Sequence, residues 1–250
     1  MAFVGEFFVI LCMEKPILFL FTPTKPFVRP YFKKFFENWE ISADIANGSP
    51  AAAVMVSSTD IYEAAEGFGY DEDSRLSTGC ILAEYEKEFI NLCAQVGIGG
   101  IILRCANIIG TGMNGFPMDL AEEIYRGRFF HFPDNEARVS AVHASDIPRA
   151  AMAVIAKRNT HLQIFNLTDG QDPTIHDLAE AIAFRMGNKR ISNLSTGPQR
   201  WLGRLLYGKK YRLYTSSLTF DSRSIQSATD FRPTPVVEYM RTHIYDHESL

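Results

Sequence analysis

The chain has 250 residues, of which 46% are hydrophobic and 22% charged, with a formal net charge of −4. That length suits one large α/β domain, or a domain with a small appendage, and the composition is ordinary for a globular protein. An acidic balance gives no electrostatic ground for nucleic-acid binding. The four cysteines, Cys12, Cys80, Cys93 and Cys105, are scattered, with no Cys-x-x-Cys and no zinc-site spacing. Cys93 and Cys105 fall in apolar runs and read as buried thiols of a reducing compartment, so the cytoplasm is the expected location.

Residues 1–21 mix apolar runs with Glu6, Glu14 and Lys15, and lack a basic lead and a small-residue cleavage site. They predict a buried strand pair in preference to a signal or anchor. No stretch reaches the roughly 18 uncharged apolar residues of a membrane span. Ile17–Phe21 is a strand that leaves its sheet at Thr22-Pro23. Residues 30–46 place Phe32, Phe35, Phe36, Trp39, Ile41 and Ile45 at helical spacing, and Asn47-Gly48-Ser49-Pro50 ends that helix. A buried strand over 51–56 follows, then an acidic loop and a helix over 78–96 stopped by Gly97. The spacing next predicts a strand over 99–103, a helix over 116–126, and short strands over 128–132 and 139–143. A helix starting at Ser145-Asp146-Ile147-Pro148, a strand over 163–167 and a helix over 174–186 with Thr174 as its N-cap complete the series. Strands alternating with helices argue for a parallel sheet with helices packed on it.

Beyond Gly187, Arg190, Arg200, Arg204, Lys209, Lys210 and Arg212 interleave with Trp201, Leu202, Leu205, Leu206, Tyr207 and Tyr211. This stretch reads as an amphipathic helix capping a cleft; a basic lip facing a diphosphate and a membrane-surface helix are the alternatives. His243 and His247 share a helix face but have no third metal ligand nearby, and His143 with Asp146 fits a strand end followed by an N-cap better than an acid–base pair.

The segment from Val54 to Glu88 carries the strongest signal. Ser57-Ser58-Thr59-Asp60-Ile61-Tyr62 closes a strand, and Thr78-Gly79-Cys80-Ile81-Leu82 opens the next helix, with Glu86 one turn on. This resembles the catalytic segment of the NAD-dependent epimerase/dehydratase family, the extended short-chain dehydrogenases. Further landmarks follow in the family's order: Leu103-Arg104-Cys105-Ala106-Asn107-Ile108-Ile109-Gly110, Arg138 to Asp146 with His143, Phe165-Asn166-Leu167, and Phe220 to Pro233.

The resemblance implies an incomplete Rossmann-like, doubly wound parallel sheet over 1–170, without the opening glycine-rich units. Residues 171–250 would be a small C-terminal substrate-binding part packed on it. It further implies NAD or NADP as cofactor and a nucleotide-sugar-like ligand, with neither nucleic acid nor membrane as partner and a homo-oligomer as one possible assembly. Ser58 stands at the position of the substrate hydroxyl partner, and as a residue it reads equally as a turn cap. Arg104, Asn107, Arg138 and His143 stand at substrate-side positions.

Thr78 occupies the place of the family's tyrosine and Leu82 that of its lysine. No tyrosine in the chain has a lysine four residues on. Threonine is not ionisable in the useful range and leucine carries no charge, so hydride chemistry of the family's kind is not expected. A branch of the family with Ser-Gly in place of the tyrosine resembles Ser77-Thr78-Gly79 more closely. Two alternatives remain: residual catalysis with Asp60, Glu63 or Tyr62 as substitute acid, and a non-enzymatic interaction module. Gly110-Thr111-Gly112-Met113-Asn114-Gly115, with Asp134 beyond, fits a dinucleotide fingerprint, but its position after Arg104 and Asn107 assigns it to a substrate-side loop.

Overall fold

The runs that are apolar on every residue become strands of one parallel sheet, because such strands must bury both faces. In the computed structural model, residues 15–46, 48–64, 66–131, 135–187, 189–193, 205 and 207–242 are described. In chain order the elements are β1 (Ile17–Phe21), α1 (Arg29–Phe35), β2 (Glu40–Ser42), β3 (Ala52–Ser58), β4 (Gly67–Tyr70), α2 (Ile81–Val96), β5 (Gly100–Cys105) and β6 (Asn107–Ile109). Then come α3 (Phe116–Tyr125), β7 (Phe130–His131), β8 (Ala141–His143), α4 (Asp146–Ile155), β9 (Gln163–Leu167), α5 (Ile175–Arg185) and β10 (Ser192–Asn193). The last are α6 (Tyr211–Thr215), β11 (Leu218–Phe220), α7 (Arg223–Ala228) and α8 (Val236–Thr242).

The main sheet has the order β2-β1-β3-β5-β9, parallel throughout. Alternate residues serve its two faces. Leu18, Leu20, Val54, Val56 and Leu103 pack with Phe32 of α1 and Ile147, Ala151 and Val154 of α4. Phe19, Ala53, Met55 and Ile102 meet Phe89 and Cys93 of α2. Helices on both faces make the sheet doubly wound. A second core joins Leu120 and Ile124 of α3 to Leu178 and Ile182 of α5, Tyr214, and Val236 and Met240 of α8. That core draws residues from both sides of position 170.

Two elements differ from the sequence reading. The predicted helix over 30–46 stops at Phe35, and Glu40–Ser42 pairs in parallel with Ile17–Phe19 as an edge strand. Sheet pairing overrides the helical spacing there, while Trp39 still meets Phe36 at 5.5 Å between ring centroids. Residues 67–70, read as part of a loop, form β4 against β11. The helix predicted from residue 78 begins at Ile81, after a turn at Thr78-Gly79.

Thr174 caps α5 as expected, its hydroxyl accepting from the Asp177 N–H at 3.0 Å. Asp146 is fully buried and is not the cap of α4. It accepts from the Thr234 N–H at 2.6 Å and from Arg149, tying α4 to the chain before α8. Residues 1–14 of the expected N-terminal strand pair, Asp134, Arg200 to Arg204, His243 and His247 lie outside the described residues. Among the described residues no helix is long and apolar enough to cross a membrane, and no cluster of three metal-ligating side chains occurs.

Candidate functional site

Ligands of open α/β sheets sit beyond the carboxyl ends of the strands. At those ends lies a cleft of about 480 Å³. Its floor is the end of β3 and the turn after it (Ser58, Thr59, Asp60), with Ala106 and Asn107 from the β5–β6 junction. Lys25, just beyond β1, and the start of α3 (Asn114, Gly115, Phe116) form further walls, and residues 212–220, including Arg212 and Phe220, complete the lining.

Ser58 therefore reaches the cleft, and it also caps a turn. Its hydroxyl donates to the Asp60 carboxylate at 2.8 Å and accepts from the Asp60 N–H at 3.3 Å. The turn-cap reading is thus seen directly, at a residue that also lines the cleft. The Asn107 side-chain amide donates to the Ser140 carbonyl at 2.9 Å, leaving the side-chain oxygen without a bond among the described residues.

The two exchanged positions have different fates. Thr78 is exposed in the turn before α2. Leu82 is 7% exposed and packs with Ile61, Tyr62, Ala106 and Phe220, so an apolar cluster occupies the place where a charged lysine head would sit.

Arg104, expected to contact substrate, is instead a buried structural residue. Its guanidinium forms a fork with Glu86 (Nε at 3.1 Å, Nη2 at 2.8 Å) and donates to the Tyr62 hydroxyl at 3.0 Å. Strand pairing explains the outcome: Arg104 stands opposite Ser57, which also donates to Glu86, at 2.7 Å. Burial works against the guanidinium charge, but the Glu86 carboxylate outweighs it and holds Arg104 above its ordinary pKa. The Tyr62 hydroxyl donates to Asn166 at 2.6 Å, and burial raises its pKa despite Arg104. The phenol proton is thereby committed to Asn166.

Arg138 and His143 do not line the cleft. Arg138 is exposed and donates to the Asp172 carbonyl at 2.9 Å. His143 is buried, with Nδ1 at 2.6 Å from the Ser145 hydroxyl and its ring 4.1 Å from that of Tyr239. Glu63 is exposed and paired with Arg75 at 2.7 Å, whereas Asp60 remains on the cleft wall.

Sequence reasoning missed Lys25 and the place of Phe220 at the cleft, and gave Arg212 only a general role. Lys25 had a usable signal, since it follows a buried strand at the end where ligands bind. Phe220 entered the sequence reading only as the start of the last landmark; its place at the cleft depends on pairing between β4 and β11.

A nicotinamide dinucleotide needs a cradle of free backbone N–H groups and, in the epimerase pattern, a lysine on the helix after β3. Gly110 and Gly112 pack on side chains: a Cβ on Gly110 would meet Tyr31 at 2.8 Å, and one on Gly112 would meet Phe27 at 3.0 Å. The Thr111 N–H already donates to the Tyr31 hydroxyl at 2.7 Å. With Leu82 sealed in the apolar cluster as well, the described residues do not fit the cofactor.

The arrangement is an α/β scaffold of Rossmann type with an open cleft at its carboxyl edge. More narrowly, the chain has the fold of solved nucleotide-sugar epimerases and dehydratases. It is similar to a presumed epimerase from Burkholderia cenocepacia, with 12% identity, a TM-score of 0.64, and coverage of 92% of this chain and 97% of that one. UDP-N-acetylglucosamine 4-epimerase from Bacillus cereus gives 13%, 0.61, 92% and 95% in the same order. The NAD complex of dTDP-glucose 4,6-dehydratase from Bacillus anthracis gives 12%, 0.52, 90% and 71%. No protein-family model matches the sequence, and no curated protein does.

Burial raises the Cys93 thiol to about 11 and the Cys105 thiol to about 12, while Cys80 is partly exposed. A raised pKa depletes the reactive thiolate at neutral pH. A maleimide at neutral pH is therefore expected to label Cys80 in the folded protein and to reach Cys93 and Cys105 only after denaturant is added. Peptide mass mapping checks this, and early labelling of Cys105 would contradict the burial.

Proposed function

We propose that this chain binds a nucleotide-linked sugar in the cleft and does not carry out the hydride transfer of the epimerases and dehydratases whose fold it shares. One juxtaposition supports the reading: Ser58 and Asn107 open on the cleft, while the lysine position is filled by Leu82 inside an apolar cluster. The cleft keeps groups that hold a polar ligand and two cationic side chains, Lys25 and Arg212, on its wall. It lacks the phenol–ammonium pair that would move a proton in step with hydride. With Leu82 sealed in the apolar cluster and Gly110 and Gly112 packed on side chains, NAD or NADP is not expected to bind as it does in the dehydratase.

Calorimetric titration with UDP-N-acetylglucosamine tests the reading. Saturable binding is expected, and Asn107→Ala should weaken it about tenfold, the cost of roughly one hydrogen bond to a polar partner. With NAD added and protein in excess over sugar, no NADH absorbance should appear. Thr78→Tyr combined with Leu82→Lys should stay inactive too. Turnover by the unaltered chain would overturn the proposal, as would failure of the sugar nucleotide to bind.

A further inference from the structure

The Asn114–Gly115 step stands on the cleft wall immediately before α3. Asn114 is exposed, and among the described residues nothing bonds its side-chain amide or the Gly115 N–H. Gly115 holds φ at 69°, and a Cβ built there would meet nothing within 4 Å. Without a side chain, the Gly115 nitrogen is unshielded beside the Asn114 carboxamide, and no hydrogen bond holds either group back.

We propose that Asn114 is a site of spontaneous deamidation in the native protein, which adds a carboxylate to the wall of the cleft. The Gly115 nitrogen attacks Asn114 Cγ, forming an N–Cγ bond and closing a five-membered imide. The Cγ–Nδ2 bond breaks, and ammonia leaves with the proton given up by Gly115. Solvent water then adds to one of the two imide carbonyls. Opening on one side gives aspartate. Opening on the other gives isoaspartate, in which the main chain runs through the former side chain. No oxidant or reductant enters the sequence.

Either product places a carboxylate on the wall shared with Lys25 and Arg212, and isoaspartate also inserts a methylene before Phe116, whose ring lies 6.2 Å from that of Tyr214. The new charge opposes the field of the two cations. On the reading of the cleft as a sugar-nucleotide site, ageing would lower affinity for an anionic ligand, by about fivefold at low ionic strength for one unit charge at close range.

The test is incubation of the folded, full chain at mildly alkaline pH, followed by tryptic mapping of the peptide from Cys105 to Arg126. An amide-to-acid mass increase at Asn114, resolved into aspartate and isoaspartate forms, is expected, and Asn114→Gln should abolish it. A native protein whose Asn114 stays intact while the same peptide converts after unfolding would overturn the proposal. In parallel, Asn114→Asp should bind UDP-N-acetylglucosamine about fivefold more weakly than the fresh chain; equal affinity would remove the effect on the cleft. If the fresh chain does not bind the sugar nucleotide at all, the reading of the cleft fails, and the mapping result still decides the modification.

Discussion

Replacing Arg104 with alanine is expected to lower the free energy of unfolding by about 3–5 kcal/mol, the cost of leaving one partner of a buried ion pair uncompensated. The Arg104 and Glu86 side chains are 4% and 6% exposed, so water cannot replace the lost counter-charge. The same change removes the donor to the Tyr62 hydroxyl and a cation held 5.1 Å from its ring centroid. Replacing both members, Arg104→Met with Glu86→Leu, should cost much less, because no charge then stays buried. Urea denaturation of Arg104→Ala and of the double variant checks this. A double variant no more stable than Arg104→Ala would show that the pair is not the source of the loss.

The second large effect concerns the same face of the sheet, three residues further along α2. Phe89→Ala is expected to cost about 3–5 kcal/mol, from lost transfer energy and the cavity left behind. Phe89 is fully buried, and its ring stands 6.0 Å from that of Phe19 and 6.1 Å from that of Phe21. It also fills the space over Gly100, where a Cβ would come within 2.7 Å of the ring. A Gly100→Ala change should therefore be tolerated better in the Phe89→Ala background than alone. A thermodynamic cycle over the two sites measures the coupling, and additivity would argue against this packing.

Much of the fold was legible because buried parallel strands announce themselves locally. Ile17–Phe21 and Gln163–Leu167 were read to the residue, as was the Thr174 cap. The error over residues 36–46 arose where local spacing and tertiary pairing disagreed. Phe36, Trp39 and Ile41 suit a helix face, yet the edge of β1 offered a partner that the sequence does not advertise.

The candidate site was legible only in part. Motif order placed Ser58 and Asn107 at the cleft, since both sit at strand ends. Arg104 was misread as a substrate residue because its type and position suit an anion contact as well as they suit Glu86. The choice between these depended on burial, which comes from β5 lying inside the sheet. Leu82 was seen as a loss, but its gain, a place in the cluster with Tyr62 and Phe220, required the distant β11 segment.

That distance has a consequence for how the molecule is made. The segment following Tyr62 has its own local bonds, but it is fastened to the rest of the molecule by residues that come much later in the chain. Tyr62 reaches Asn166 across 104 positions, Glu66 reaches Ser216 and Gly69 reaches Thr219 across 150, and Glu72 reaches Ser224 across 152. A chain emerging from the ribosome can pair β1, β3, β5 and β9 before α6 and β11 have been synthesised. Closing so long a loop carries its entropy cost late, after the sheet has formed. The cleft is therefore closed only after the sheet has formed, and a nascent chain stopped before β11 would carry a finished sheet beside an unroofed site.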